Sequence, residues 1–480
     1  MNDMKIHLPR SAQYAVKSLT GAGYQAYIVG GSVRDHLLGK TPSDYDVTTS
    51  ALPEEVMALF AKDRLLTNGL KHGTVTLIKY GQPIEITTFR IDGEYEDGRH
   101  PDDVVFTGNL YEDVQRRDFT VNALCWNEQA GLIDYVGGEE DLENKIIRCV
   151  GEADVRFNED ALRILRALRF SSVLDFDIEA DTARAVHDNR ENLSKIAVER
   201  ILTELKKLLC GARAESILLE YRDVLEVVMP ELHALSQDDY MLAARRVSLV
   251  SPVPELRLAA LLSDLPVESA NACVTRLKTS KVSRKFIESV IAYGKAPMPT
   301  DRAGMRRLAG RCGEELLLGL AEIRAAHITA LCHVVVQQGD CVSLKQLAVK
   351  GDDLFRLGVT RRMIGDTLNG LLARVVEGEL PNEKEALMDA VRADLNERAE
   401  RAAAEKAASA GKKKRRRRGK GAQSAESAEA SEAAAERADE SVPETPGESD
   451  ASVSIGAAQA GETENAARRD DEPKRTEEQP

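Results

Sequence analysis

The chain has 480 residues, of which 43% are hydrophobic, room for two to four domains with true cores. Residues 421–480 hold 16 acidic and 5 basic side chains, a surplus of 11 negative charges, so only −3 of the formal −14 belongs to residues 1–420 and the acidic balance does not exclude a polyanionic partner. The seven cysteines form no C-x-x-C pair, and no run of 18 apolar residues or apolar leader occurs, which argues against a disulfide framework, a membrane span and a signal peptide and makes the cytoplasm the expected compartment.

Up to about residue 145, short β-prone runs ("AYIVGG", "DYDVTT", "TVTLIKY", "IEITTF", "GLIDYVG") alternate with helical stretches such as "SVRDHLLG" and "PEEVMALFAKD". This is the pattern of an α/β or α+β domain built on one sheet. In "YIVGGSVRDHLLGKTPSDYDVTT" (27–49) a strand, the pair Gly30 and Gly31, and a helix follow one another. Such a turn leaves the backbone open and aims free N–H groups at an anion, and Arg34, about one turn into the helix, adds a cation. The plain alternative is a tight turn. Asp44 and Asp46 stand two apart in the next β-run; on a strand both side chains share one face, and carboxylates so close repel unless a cation lies between them. Hard oxygen ligands of this kind suit Mg²⁺, which keeps positions for water and substrate phosphates and supports an attacking hydroxyl and a pyrophosphate leaving group. Two more carboxylates are candidates for the same site. Glu85 in "IEITTFR" alternates with isoleucines and so faces away from them. Asp118 in "RRDFTVNAL" is kept ionised by Arg116 and Arg117, its plain alternative being a helix N-cap.

From about 152 to 395 the β-runs give way to 3.6-residue periodicity, as in "EDALRILRALRFSSVL", "AVERILTELKKLL" and "AESILLEYRDVLEVV", which predicts an all-helical body. Asp160, Arg163, Arg166 and Arg169 recur every three residues and form a slowly winding polar stripe on a helix. A solvated face is the ordinary explanation. A carboxylate followed at i+3 by an arginine also matches the Watson–Crick edges of cytosine and adenine, each an amino group beside an unprotonated ring nitrogen. Uracil and guanine leave both groups mismatched, so the pair selects CTP and ATP, with the remaining arginines toward the triphosphate. His187 and Asp188 lack the partners of a metal phosphohydrolase and read as a surface helix pair. Beyond about 396 an Ala/Glu/Ser-rich tail carries the basic block "KKKRRRRGK" (412–420). It cannot bury enough apolar surface to order, so it is expected to be disordered, with the block at most an accessory that holds RNA.

The segments "VGGSVRDHLLGKTPSDYDVTT", "GLKHGTVTLI", "IEITTFR", "YEDGRHPDDVVFTGNLYEDVQRRDFTVNAL", "LIDYVGG" and "RFNEDALRILRALRF" occur in order between about residues 20 and 210. Together they make the chain resemble the bacterial tRNA nucleotidyltransferases, the CCA-adding enzymes of the poly(A) polymerase-type superfamily. The resemblance implies an α+β fold with a polymerase β-like nucleotidyltransferase head and mixed sheet over 1–147. A helical neck over 148–212, a helical RNA-binding body and tail over 213–395, and a disordered terminus over 396–480 would follow. It implies Mg²⁺ at Asp44 and Asp46, contacts from Gly31, Arg34 and Arg117 to the incoming nucleotide, and base reading by Asp160 and Arg163 with Arg166 and Arg169 nearby. It further implies addition of CCA to the tRNA 3′ end from CTP and ATP without a nucleic-acid template. "VERILTELKKLL" (198–209) resembles the last motif, where the neck ends. "RIDGEYEDGRHPDDV" (90–104) resembles the flexible loop of the CCA-adding branch, which enzymes adding only CC lack. The alternatives are a poly(A) polymerase on the same head and a non-catalytic RNA-binding protein on a decayed head, the latter opposed by the surviving carboxylates and arginines. The sequence leaves open the tRNA-contacting residues beyond 212 and the oligomeric state, a homodimer included.

Overall fold

The structure, a computed structural model, describes residues 6–92, 104–324 and 326–432, and its contacts divide the chain once, into Met1–Ala393 and Asp394–Pro480. Most of the expected flexible loop, residues 93–103, lies outside the described residues. The strands are β1 (Ala26–Val29), β2 (Asp46–Thr49), β3 (Arg64–Leu66), β4 (Thr74–Lys79), β5 (Gln82–Thr88), β6 (Arg90–Asp92), β7 (Val104–Phe106), β8 (Cys125–Asn127) and β9 (Gly131–Ile133). Seven of them form one mixed sheet in the order β3-β4-β5-β2-β1-β8-β9, while β6 and β7 pair as a separate ribbon. The interior strand β2 is antiparallel to β1 and parallel to β5. One row of the ladder sets Ile133, Cys125, Val29, Asp46, Glu85, Thr76 and Leu66 side by side.

Alternation along the strands decides what each face does. Ile28, Val47, Val75, Leu77, Ile84 and Ile86 are fully buried. They pack in one core with Ala12, Ala15, Val16 and Leu19 of helix α1 (Arg10–Gly21), whose spacing makes a single apolar stripe. Helix α2 (Gly31–Leu37) follows β1, and α3 (Pro53–Leu59) adds Val56 to the same core. Residues one step along each strand point the opposite way. On that second face α4 (Leu110–Gln115) lays Leu110 and Val114 over Val29, Phe89 and Cys125, while Asp46 and Glu85 stay exposed.

Helices α5 (Gly138–Glu143), α6 (Ala153–Glu159), α7 (Leu162–Leu174), α8 (Ala180–Asp188) and α9 (Val198–Leu209) come next. Ile146 and Ile147 pair in parallel with Asp177 and Ile178, two-residue strands too short to leave a periodicity in the sequence. The main core continues without a break from the sheet through α7 and α9 to the helices beyond, and a smaller cluster forms around Met305, Leu317 and Cys332. All seven cysteines are free thiols, and no helix among the described residues is long and apolar enough to cross a membrane. The disorder expected from 396 meets a helix, Lys384–Glu432, because alanine, glutamate, lysine and arginine are strong local helix formers. Residues 396–408 of it are exposed throughout and add no core, and 433–480 lie outside the described residues.

Gly211 fixes how closely the end of α9 meets α7. Ser172 Oγ donates to the Leu208 carbonyl at 2.7 Å and the Arg213 amide donates to the Ser172 carbonyl at 3.1 Å. A Cβ on residue 211 would stand 2.5 Å from that carbonyl carbon and oxygen. Gly211→Ala is therefore expected to lower unfolding free energy by about 1–3 kcal/mol, the usual cost of overpacking; an unchanged denaturation midpoint would remove this constraint.

Candidate active site

The site starts at a backbone turn. Gly30 precedes α2 with φ 77° and ψ −137°, a conformation that a side chain would strain, and its amide donates to the Leu124 carbonyl at 3.2 Å. Because Val29 is paired with Asp46, the turn and the first residues of α2 stand beside the start of β2. The strand begins at Asp46; Asp44 lies in the chain leading into it rather than on the strand, so only one of the two aspartates has its direction set by the ladder.

Glu85 occupies the position expected for it, directly across β5 from Asp46 and on the opposite face from buried Ile84 and Ile86. Although Asp46 reaches the surface, crowding by protein atoms raises its carboxyl to about 6, with Glu85 and then Asp44 pushing the same way and Arg117 opposing them. Asp118 does not join this group. Its carboxylate accepts from Arg166 Nε at 2.9 Å, from the Phe119 amide at 2.8 Å and from Asn122 Nδ2 at 3.2 Å. Burial alone would raise Asp118, but Arg166 holds it down at about 2. Its place is an ion pair between the segment after α4 and α7.

A residue that the sequence did not single out organises the cations. Asp113 is completely buried in α4, where it accepts from Arg116 Nε at 3.0 Å, Arg117 Nη2 at 3.0 Å, Thr48 Oγ1 at 3.1 Å and the Arg90 amide at 3.3 Å. Burial works against its charge, and Arg117 and Arg116 outweigh it and set the carboxyl at about 2. Asp113 thus ties β2, two residues past Asp46, to the arginine pair. The available signal was its position one helical turn before two adjacent arginines. Arg117 Nη1 lies close to Gly30, where an added Cβ would be 3.9 Å away, and its Nε is buried without a hydrogen-bond partner. Arg34, almost fully buried, gives Nη1 to Asn122 Oδ1 at 2.5 Å and Nε to Asp35 Oδ1 at 2.9 Å.

The expected stripe on one helix is broken at its first member. Asp160 sits in the extended break between α6 and α7, φ −139° and ψ 99°, since its Oδ1 accepts from the Leu162 amide at 3.0 Å and caps the new helix. Its Oδ2 accepts from Arg200 Nη2 of α9 at 2.8 Å. Arg163, buried, donates Nη1 to Glu159 Oε2 at 2.6 Å and Nη2 to the Arg116 carbonyl at 3.0 Å, which joins α7 to the arginine pair. Arg166 pairs with Asp118 and reaches Glu204 of α9 at 3.8 Å; Arg169 pairs with Glu204 and lies 3.6 Å from the Phe170 ring centroid. The stripe is an internal seam, not a solvated face. His187 pairs at 3.0 Å with Asp223 rather than with exposed Asp188 and stacks on Tyr221, a structural surface contact.

The perturbed carboxyls have opposite effects on stability. Asp113 and Asp118, depressed from 3.8 to about 2, add stability that is complete above pH 3.8 and lost as pH falls toward 2. Asp113→Asn is expected to lower the thermal midpoint at pH 7 and flatten its fall between pH 4 and 2; an unchanged acid profile would contradict the pairing. Asp46, raised from 3.8 to about 6, favours the fold below pH 3.8 and loses that contribution as pH rises through 6. Asp46→Asn should therefore raise the midpoint of the metal-free protein at pH 8 but not at pH 4, measured by scanning calorimetry.

The chain matches the family described as "Poly A polymerase head domain" over 26–148, "Probable RNA and SrmB- binding site of polymerase A" over 175–235, and tRNA nucleotidyltransferase domain 2 over 255–391. It is 36% identical to the CCA-adding enzyme of Leuconostoc mesenteroides, an alignment covering 81% of this chain and 97% of that one. With the CCA-adding enzyme of Geobacillus thermodenitrificans it shares 38% identity over 78% and 94% of the two chains. The crystal structure of the Bacillus stearothermophilus CCA-adding enzyme in complex with CTP superposes with a TM-score of 0.62 at 30% identity, covering 82% of this chain and 98% of that one. The Thermotoga maritima CCA-adding enzyme complexed with tRNA(CCA), 22% identical with a TM-score of 0.56 over 80% and 95% of the chains, shares the fold. The chain belongs to the CCA-adding enzymes, the metal-dependent tRNA nucleotidyltransferases that add CCA without a template.

Proposed function

We propose that this chain transfers CMP and AMP from CTP and ATP to the tRNA 3′ hydroxyl at the Asp46 end of β2, with Mg²⁺ held by Asp44 and Asp46. The observation that carries the assignment is the ladder row in which the end of β1, Asp46 and Glu85 stand side by side, with Arg117 beside the turn. The residues fit such an ion. Among the described residues no three or more His, Cys, Asp or Glu converge into a closed cage, and Mg²⁺ characteristically takes one or two carboxylates and completes its shell with water and phosphate. The raised Asp46 carboxyl marks a concentration of negative charge that a cation would relieve. Bound there, the ion would activate the attacking hydroxyl and offset charge on the leaving pyrophosphate.

The remaining roles belong to the chain. Gly31 offers its backbone without a side chain of its own, with Arg34 beside it and Arg117 beside the neighbouring Gly30, the latter with a buried Nε donor that has no hydrogen-bond partner. Asp160 and Arg163 read the base edge. Asp160 accepts one hydrogen bond on each oxygen, so lone pairs remain for an exocyclic amino group, and Arg200 keeps the carboxylate from turning. The stretches 175–235 and 255–391 carry tRNA, and the free thiols suit a reducing cytoplasm.

Asp44→Ala and Asp46→Ala should each lower transfer by well over about 100-fold, more than changes outside a metal's own ligands cause, with the fold and RNA binding retained. Asp160→Ala or Arg163→Ala should admit UMP or GMP, read by sequencing RNA 3′ ends made with each nucleotide alone and with all four. Extension of tRNA lacking CCA by A alone would instead mark the chain as a poly(A) polymerase.

A further inference from the structure

The two sides of β2 are unequally furnished. On the β1 side stand Gly30 and Gly31, Arg34 and Arg117, all suited to the triphosphate. If the leaving pyrophosphate lies there, in-line displacement puts the attacking 3′ oxygen on the side away from it, toward β5, β4 and β3. This step rests on the assignment of Asp44 and Asp46 made above.

That other side presents a bare face. Glu85, Thr76 and Leu66 continue the row from Asp46, and Arg64 lies two residues before Leu66 on the same face of the edge strand. Alternation separates this face from the core: Val75 and Leu77 are fully buried behind it, whereas Thr76 and Ile78 are half-exposed, Arg64 exposed and Leu66 40% exposed. From β2 to β3 is three strand spacings, about 14 Å. Arg64 and, in the turn Leu70–His72 that joins β3 to β4, Lys71 are both exposed, and neither has an ion-pair partner among the described residues. Exposed neighbours Thr67 and Asn68 add hydrogen-bonding groups.

We infer that the β3–β4 face is the track for the single-stranded 3′ end of the RNA substrate, with Arg64 and Lys71 contacting its phosphates. The chemistry is that of a polyanionic single strand: exposed cations spaced along a strand face that leads to a carboxylate site. Helix α1, by contrast, lies behind the opposite face of the sheet, where the RNA would not run.

The test is steady-state CCA addition on tRNA lacking CCA, with Arg64→Glu, Lys71→Glu and, as control, Lys17→Glu on α1. The expected result is a KM for RNA raised by about tenfold for each of the first two, with nucleotide KM and kcat at saturating RNA unchanged. Each should also make the dependence of log KM on log salt shallower by about 0.7, one phosphate contact on a single strand. RNA KM values within about twofold of the parent, an equal rise for Lys17→Glu, or a change in nucleotide KM would each overturn the assignment. Undiminished transfer by Asp46→Asn would instead overturn the assignment of the metal carboxylates, whatever the RNA KM of the surface variants.

Discussion

The antiparallel register of β1 against β2 is the constraint on which the site depends. Val29 opposite Asp46 places a glycine turn next to a carboxylate, and parallel pairing of β2 with β5 adds Glu85 on the other side. A slip of one residue would exchange Asp46 and Thr48 for Val47 and Thr49, turning the carboxylate into the core and a valine toward solvent. The burial of Val47, Ile84 and Ile86 under α1 therefore does more than stabilise the head: it fixes the direction in which the charge points.

Around that row, charge is distributed by a second rule. Buried carboxylates hold arginines. Asp113 holds Arg116 and Arg117, Asp118 holds Arg166, and Glu204 holds Arg169. Each pair is largely withdrawn from water, so breaking one would leave an uncompensated charge, which favours a single arrangement. The Arg116 carbonyl accepting from Arg163 connects these pairs to α7, so β2, the Arg116–Arg117 pair and the start of α7 are joined in one network.

The candidate site was largely legible as a set of residue types because it is made of local patterns. Gly30 and Gly31 sit where a strand passes into a helix, Asp44 and Asp46 are two apart, and Glu85 alternates with isoleucines; each is a short-range signal with a chemical meaning. Asp118 was less legible, since adjacent arginines explain its ionisation without revealing that its partner is Arg166, forty-eight residues away. For Asp113 the spacing to Arg116 and Arg117 hints at ion pairs, but nothing local marks a carboxylate as buried. The regular spacing of Asp160, Arg163, Arg166 and Arg169 suggested one helix, but the cap that Asp160 provides interrupts it, and capping depends on an amide that only the folded break exposes.

The sequence by itself determined the class of chemistry, the alternation of strands and helices, and which residue types could hold a phosphate, a cation or a base edge, because periodicity, glycine turns and carboxylate spacing act over a few residues. Only the tertiary structure decided which carboxylates face one another, that Asp113 and Asp118 pair with arginines, and that one flank of β2 is richer in cations than the other. Those are consequences of strand order and register, which bring together residues far apart in the chain and follow from packing the whole core rather than from any single segment.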